Sequence, residues 1–445
     1  MRITVVGGGI SGLAAAWELS ADPAVEVTLL EAADRTGGKI QTSPFAGRLV
    51  DEGADAFLRR VPDAVALCAE IGLDDLIAPS HGTACVWIEG ELRPLPGGLV
   101  LGVPARFDEL EQSGILTHWG LARAQTEPDL EGEPLVGDTS IGALISRRYG
   151  NEVTQRLVGP LLGGINAGSI DDMSLDAVVP QLAEAAHRSA SLTRALAETL
   201  PPSGATASSD PIFAAPPDGM AALIRRLTDR LRERGVDVRT GAPATELPRA
   251  DGVVLSTPAS VTARLLADRS PGAAATLAGI TYASVVFTTL AFRRSDIAGD
   301  LDASGFLVPR EAGLSITAAS WSSTKWERLA GDPVILRVSM GHADDHESID
   351  LDDATVLDRI AADLHTTMGI TAAPVEHRIT RYRDGFPQYT VGHLDRIAEM
   401  EATLVRDAPD LAVCGMAHRG VGIPACIREA RIAAAGLRAR LSESG

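Results

Sequence analysis

Arg2-Ile3-Thr4-Val5-Val6-Gly7-Gly8-Gly9-Ile10-Ser11-Gly12-Leu13-Ala14-Ala15-Ala16-Trp17-Glu18-Leu19 stands near the start of the chain, and Val25-Glu26-Val27-Thr28-Leu29-Leu30-Glu31 follows it. An apolar run, a glycine turn, an alanine-rich stretch and a second apolar run closed by an acid read as strand, turn, helix and strand, a dinucleotide-binding βαβ unit. Each part has a mechanical task. Gly7 permits the tight turn, Gly9 lets a pyrophosphate approach the backbone, and Gly12 lets the helix pack close to the strand. The first turn of the helix offers N–H groups and partial positive charge to phosphate. Glu31 is placed to accept hydrogen bonds from a ribose diol.

The remaining composition bounds what such a unit can belong to. With 445 residues, 45% of them hydrophobic and 22% charged, the chain is globular and long enough for two or three domains. A net charge of −19 argues against nucleic acid as a partner and against attachment to anionic lipid. Cys68, Cys85, Cys414 and Cys426 form no C-x-x-C pair and read as buried free thiols of a reducing compartment. There is no basic, cleavable leader pattern, and apolar stretches such as Leu95–Val103 are broken by Pro96, Gly97, Gly98 and Gly102. The expectation is a soluble cytoplasmic protein with no transmembrane segment.

Beyond Glu31, Arg35 and the Gly37-Gly38 pair suit a phosphate contact or a plain turn. Leu49–Phe57 reads as a strand ending in a small-residue loop, Pro62–Ile71 as a helix, and Val86–Glu89 with Glu91–Pro94 as a hairpin about Gly90. Residues 104–200 are mainly helical by period, but Pro160–Gly168 is too glycine-rich for a helix interior and too apolar for a solvent loop. Pro201–Pro217 is a loop or linker by composition. An α/β pattern resumes at Gly219-Met220, with strands at Val236–Arg239 and Val253–Ser256. Strand-like runs follow at Ser284–Phe292, Gly305–Pro309 and Val334–Met340, then a helix at Thr355–Thr367. The chain closes with a strand at Leu411–Gly415, a glycine turn at Gly420–Pro424 and a helix at Ala425–Leu441.

The fold class is therefore α/β, α+β overall. A Rossmann-like dinucleotide domain (1–56, 217–280, 405–445) is discontinuous, with a mixed-sheet substrate domain (57–103, 201–216, 281–404) and a helical insertion (104–200).

Several stretches together resemble the flavin-dependent protoporphyrinogen/coproporphyrinogen oxidase family, within the wider amine-oxidase-like flavoproteins. They are Gly7–Gly12 with Glu31, Arg35–Ile40, Gly53–Phe57, Gly163–Gly168 with Ser174-Leu175, Gly219-Met220, Gly305–Pro309, Trp321–Trp326, Pro387–His393, and Gly420–Pro424 with Cys426. The Lys325-Trp326 and Pro387–His393 segments are the most particular. The chain departs from the family pattern in four places: Gly53–Ala56 lacks a proline, the insert between Thr240 and Gly252 is short, Asn166 replaces an aromatic residue, and Ile427-Arg428-Glu429-Ala430 follows Cys426.

The resemblance implies FAD as cofactor, with hydride passing from substrate carbon to flavin in three two-electron steps, and molecular oxygen as acceptor with release of hydrogen peroxide. It implies a pyrophosphate cradle from Gly7, Gly9, Ser11 and Gly12 and a ribose contact from Glu31, with Gly8, Ile10 and Ala32 also among the cofactor-binding residues. Arg35, Gly38 and Lys39 would lie along the phosphate and ribityl path. Gly53, Ala54, Asp55 and Ala56 would pass the flavin ring, Ala244 would meet the adenine, and Met416, Val421, Gly422 and Ile423 would face the pyrimidine end. No protein residue is nominated as acid or base.

The implied substrate is a porphyrinogen. The soluble branch, acting on coproporphyrinogen III in haem biosynthesis, is favoured by the acidic balance and the lack of an apolar anchor, with product passing to a chelatase. Four propionates meeting a protein of charge −19 need local cations, for which Arg59, Arg60 and then Lys325 are the candidates. Phe306, Leu307, Ile165 and Asn166 are candidates for apolar contact with the macrocycle, against an alternative of ordinary core. His342 and His346 are spaced i, i+4 but bring no further ligand, so no metal site is expected. His393 reads as structural, Trp321 and Trp326 as packing, and Arg428, Arg431, Arg438 and Arg440 as a solvated helix face. Protoporphyrinogen IX as substrate, an amine oxidase, a carotenoid desaturase and a non-catalytic flavin-binding protein remain as alternatives.

Overall fold

The computed structural model describes residues 1–201 and 211–443, so most of the Pro201–Pro217 stretch lies outside it. The chain forms two compact units, Met1–Ala78 with Ile212–Thr281 and Leu394–Gly445, and Pro79–Pro211 with Tyr282–His393.

The first unit is built on a parallel five-stranded sheet. Its strands run in the order Asp237–Arg239, Glu26–Leu30, Arg2–Val6, Gly252–Leu255 and Leu411–Val413. Val5 lies opposite Leu29 on one side and Val254 on the other. Ile3, Val5, Val27, Leu29, Val253 and Val254 are all buried, because helices cover such a sheet on both faces and its strands must be apolar throughout. The short insert after Thr240 leaves Asp237–Arg239 as a three-residue edge strand.

Helix Ile10–Leu19 connects the first two strands and packs against the C-terminal helix Ile423–Glu443. A polar knot ties these helices to Pro62–Glu70. Trp17 Nε1 donates to Glu70 Oε2 at 2.7 Å, Arg431 donates to both Glu70 oxygens at 2.9 and 2.6 Å, and the Arg234 guanidinium lies 3.2 Å from the Trp17 ring centre. This contact is why residues 57–78, read from sequence as part of the substrate domain, group with the nucleotide-binding unit. The pairing of Phe57–Leu58 with Phe213–Ala214 brings residues 212–216 with them. Arg431 is thus a structural residue rather than part of a solvated face, and Arg440, which donates to the carbonyls of Pro409 and Leu411, is another.

The second unit holds a seven-stranded mixed sheet in the order Glu376–Pro387, Tyr282–Phe292, Val334–Met340, Ile316–Ser320, Gly305–Leu307, Cys85–Ile88 and Glu91–Pro94. The last two form the expected hairpin, turning at Glu89 and Gly90, both with positive φ. The helical region from Asp108 to Ala197 belongs to this same unit, with Leu144, Ile145, Leu157 and Leu182 fully buried in its core. Within it, Pro160–Gly168 departs from the sequence reading and is largely helical. Thr154–Gly163 winds as a π-helix, which accommodates Pro160, and the short turn Gly164–Asn166 ends at Ala167 with φ 52°. Strand Glu376–Pro387 and helix His393–Asp407 are absent from the sequence reading. The strand is a half-exposed edge carrying Arg378, Arg381 and Arg383 with His377, Glu376 and Asp384, and it has no apolar alternation to betray it.

The Glu70 knot makes a specific prediction. Burial raises the Glu70 carboxyl, but the hydrogen bonds from Arg431 and Trp17 and the arginine charges prevail and hold it below the usual value. A carboxylate with a depressed folded pKa stabilises the fold above its unfolded pKa of about 4.3, and that contribution disappears as pH falls through the folded value. Glu70→Gln should lower unfolding free energy at pH 7 by about 1 kcal/mol, solvent screening keeping the effect small. The gap to the parent should close below about pH 4 in denaturant titrations.

Candidate active site

The glycine loop is set by backbone approach. Gly7 has φ 105°, and a Cβ there would come within 2.6 Å of the Ser256 carbonyl oxygen. A Cβ on Gly12 would overlap the Gly7 carbonyl oxygen, so the helix can lie this close to the strand only with glycine at that position. On Gly8 a Cβ would meet Glu31 Oε2 at 2.9 Å, whereas on Gly9 it would meet nothing within 4 Å. Gly9 therefore presents bare backbone to open space at the N-terminus of helix Ile10–Leu19. The first-turn N–H groups of that helix have no intrahelical acceptor.

Around this loop the structure gathers many of the sequence-nominated residues. Glu31 Oε2 accepts from Gly8 N at 2.6 Å and Oε1 from Ala33 N at 2.8 Å, which fixes the carboxylate beside the loop. Ala242 N donates to the Glu31 carbonyl at 2.8 Å, which brings the segment before Ala244 to the same edge. Gly37 bridges Gly9, with Gly37 N donating to the Gly8 carbonyl at 2.7 Å. Arg35 folds over its own turn, donating to the Thr36 and Gly38 carbonyls and to Gln41. Glu52 N donates to the Gln41 carbonyl, so Gly53–Ala56 starts from this segment. Ala32 and Gly38 are exposed, and Ala54, Asp55 and Ala56 are exposed or half-buried.

The far end of the chain closes the other side. Lys39 Nζ donates to Met416 Sδ at 3.3 Å across 377 residues of sequence. Cys426 Sγ lies 3.7 Å from the Gly420 carbonyl oxygen and 3.8 Å from that of Val421, and Ser11 hydrogen-bonds the same thiol. Burial lowers the pKa of Lys39, opposed by Cys426, and pushes Cys426 up to about 11 and Cys414 up to about 12. Val421 and Gly422 are accessible while Ile423 is buried. Arg419 braces this turn through a bidentate pair with Glu401. Nothing in the sequence links those two residues, which lie on different elements.

These residues suit a dinucleotide with a flavin. Glycines leave bare backbone at the loop, an open helix N-terminus suits pyrophosphate, a carboxylate is fixed beside the loop, and a lysine links the loop region to the C-terminal turn.

Arg59 and Arg60 lie in the same unit, just past Phe57–Leu58, and both are exposed. Neither guanidinium meets a carboxylate among the described residues.

In the second unit, Ile165 is 53% exposed and Asn166 Nδ2 donates to the Leu162 carbonyl at 2.9 Å. A Cβ on Gly164 would lie 3.8 Å from Leu307 Cδ2, so the Ile165–Asn166 turn and Leu307 are neighbours. Phe306 is not part of that surface. Strand alternation turns it into the core, 2% exposed and edge-on to Trp321 at 6.3 Å. Lys325 closes a short helix, its carbonyl accepting from Ser80 N and its ammonium 5.7 Å from the Trp326 ring. Trp321 and Trp326 are buried as packing residues. The Pro387–His393 motif meets the Gly163–Leu175 region: Ser174 N donates to the Tyr389 carbonyl, Met173 bridges Thr390, and Asp138 accepts from Ser174 Oγ and Gly392 N. His393 stacks on Tyr389 with ring centres 4.1 Å apart, a structural role.

The family model of flavin-containing amine oxidoreductases matches residues 10–438. The chain belongs to that family, and its cofactor is FAD. It is 31% identical to a coproporphyrinogen III oxidase of Bacillus subtilis over 97% of both chains. It is 35% identical to one of Mycobacterium bovis over 95% of this chain and 94% of that one. A solved structure of a putative protoporphyrinogen oxidase from Exiguobacterium sp. 255-15 superposes with a TM-score of 0.87 at 30% identity, covering 99% of each chain. No helix of the described residues is long and apolar enough to cross a membrane.

The two glycine environments separate cofactor binding from folding. Gly9→Ala adds a methyl that touches no protein atom, so stability should stay within about 0.5 kcal/mol of the parent. FAD affinity should nevertheless fall by about tenfold or more if a pyrophosphate lies against this loop, because the methyl would enter the open space at Gly9. Gly12→Ala should cost about 1–3 kcal/mol of stability as well, since its methyl has no room. Flavin titration and thermal unfolding of the apoproteins check both.

Proposed function

We propose that this chain is an FAD-dependent coproporphyrinogen III oxidase, converting coproporphyrinogen III to coproporphyrin III in haem biosynthesis. The observation that carries this reading is the near full-length match to coproporphyrinogen III oxidases at 31 and 35% identity. The reaction removes six electrons and six protons. With oxygen as acceptor it balances as one coproporphyrinogen III and three oxygen molecules giving one coproporphyrin III and three hydrogen peroxide. FAD supplies the two-electron acceptor used three times over.

The chain's own residues bind, orient and shield. The Gly7–Gly12 loop and its helix N-terminus hold the pyrophosphate, and Glu31 with Ala32 holds the ribose, with Ala244 near the adenine. Arg35, Gly38 and Lys39 follow the chain of the cofactor, and Gly53–Ala56 passes its ring. Met416 and Val421–Ile423 close the pyrimidine end, where the N-terminus of Ile423–Glu443 favours negative charge. Arg59 and Arg60 attract and hold propionates, with Lys325 as a further cation, and Ile165, Asn166 and Leu307 meet the macrocycle. Burial of Phe306 removes it from this set. Cytoplasmic location and passage of product to a chelatase complete the proposal.

The direct test adds anaerobically prepared coproporphyrinogen III to the FAD-loaded protein in air. Porphyrin fluorescence should grow with peroxide released at three per porphyrin; flavin-loaded protein that leaves the substrate unchanged would refute the proposal. Replacing Arg59 and Arg60 by Ala should raise KM for the tetracarboxylate coproporphyrinogen by about tenfold. The effect on the dicarboxylate protoporphyrinogen should be smaller, and steady-state kinetics on both substrates measures the difference.

A further inference from the structure

The Pro387–His393 segment contains a side chain that the proposed reaction does not use. Gln388 follows the edge strand Glu376–Pro387, and its amide lies against the turn at the end of the π-helix. Gln388 Nε2 donates to the Asn166 carbonyl at 3.0 Å and to the Phe386 carbonyl at 3.1 Å. Both amide hydrogens are thereby committed to main chain. The other end of the amide is equally constrained, since a Cβ on Gly168 would overlap Gln388 Oε1. Gly168 N in turn donates to the Gly163 carbonyl at 3.2 Å, and Ala167 between them has φ 52°.

This turn needs an external strut. A π-helix ends there, Ala167 is held in the left-handed region that alanine disfavours, and Gly163, Gly164 and Gly168 contribute no side chains to lock the backbone. Asn166 turns its own amide back to Leu162 rather than outward. What fixes the carbonyl of Asn166 is therefore Gln388, 222 residues away in sequence. Ile165, the residue before Asn166, is exposed on the same turn, and its neighbour Gly164 faces Leu307.

We infer that Gln388 is a positioning residue for substrate: its amide fixes the Ile165–Asn166 turn against which the porphyrinogen macrocycle rests. The inference depends on the porphyrinogen reading above. Gln388 acts through the turn and touches neither flavin nor reacting atoms, so its loss is felt in substrate binding rather than in cofactor binding or the electron-transfer step.

The experiment is a double-mutant cycle on the FAD-loaded protein with coproporphyrinogen III. Gln388→Ala should raise KM by about tenfold, the equivalent of one or two lost hydrogen bonds, while kcat changes by less than about threefold. Gly168→Ala should do the same by driving the amide off the Asn166 carbonyl. The double variant should be no worse than the poorer single one, because both act through the same contact. FAD affinity and the flavin absorption spectrum should be unchanged throughout. Gln388→Glu, which keeps the shape but points a carboxylate at two carbonyls, should resemble Gln388→Ala. An unchanged KM with lowered Tm and active fraction would make Gln388 merely structural and overturn the inference, as would KM effects that multiply in the double variant. The unaltered protein separates this inference from its premise. If it turns over no porphyrinogen, both fall; if it does and Gln388→Ala retains its KM, this one alone falls.

Discussion

The distance between the Gly7 carbonyl and helix Ile10–Leu19 governs the nucleotide-binding unit. With no side chain at Gly12, the helix axis can lie against the strand that feeds it, and its N-terminus then opens at the end of that strand. Two further conditions follow from that closeness. Gly8 must also lack a side chain, because Glu31 reaches across to its N–H, and Gly37 can then bridge Gly9. A single backbone approach thus sets the places of the loop, the acid at the end of the second strand and the turn that follows it.

The same economy of side chains recurs in the second unit with a different consequence. There, glycines at 163, 164 and 168 leave a turn with few side chains to hold it, and Gln388 adds a restraint from elsewhere to the bonds the turn makes itself. Asp138 does a related task nearby. It accepts from Ser174 Oγ and from the main-chain N–H groups of Gly392, Asp176 and Thr139. Burial alone would raise its carboxyl, but these four donors outweigh burial and hold it below the ordinary range, so that the anion itself cross-links separate segments. Both side chains reach these segments from distant parts of the sequence.

Local sequence carried much of this. The Gly7–Glu31 unit, the hairpin about Gly90 and the strands flanking the C-terminal glycine turn were legible because turn chemistry and apolar period are properties of adjacent residues. Four things were not legible, each for its own reason. Glu376–Pro387 pairs on one edge only and keeps a polar composition. Pro160–Gly168 is helical through π-winding, which the propensities of Pro and Gly argue against. Phe306 and Leu307 are adjacent in sequence and point to opposite faces, a matter of strand phase that apolar composition leaves open. Arg431 looks like any exposed helical arginine until Glu70, 361 residues earlier, is found beneath it.

The four cysteines acquire a meaning beyond packing. Each is a buried free thiol, and burial pushes Cys68 and Cys414 up to about 12 and Cys426 to about 11. Peroxide attacks thiolates far faster than thiols, so a protonated sulfur is chemically quiet. Cys426 stands within the same cluster as Ser11 and Lys39, and the proposed reaction would generate three equivalents of oxidant for every macrocycle. A sulfur held as a neutral thiol would be a poor target for such an oxidant at the start of helix Ile423–Glu443.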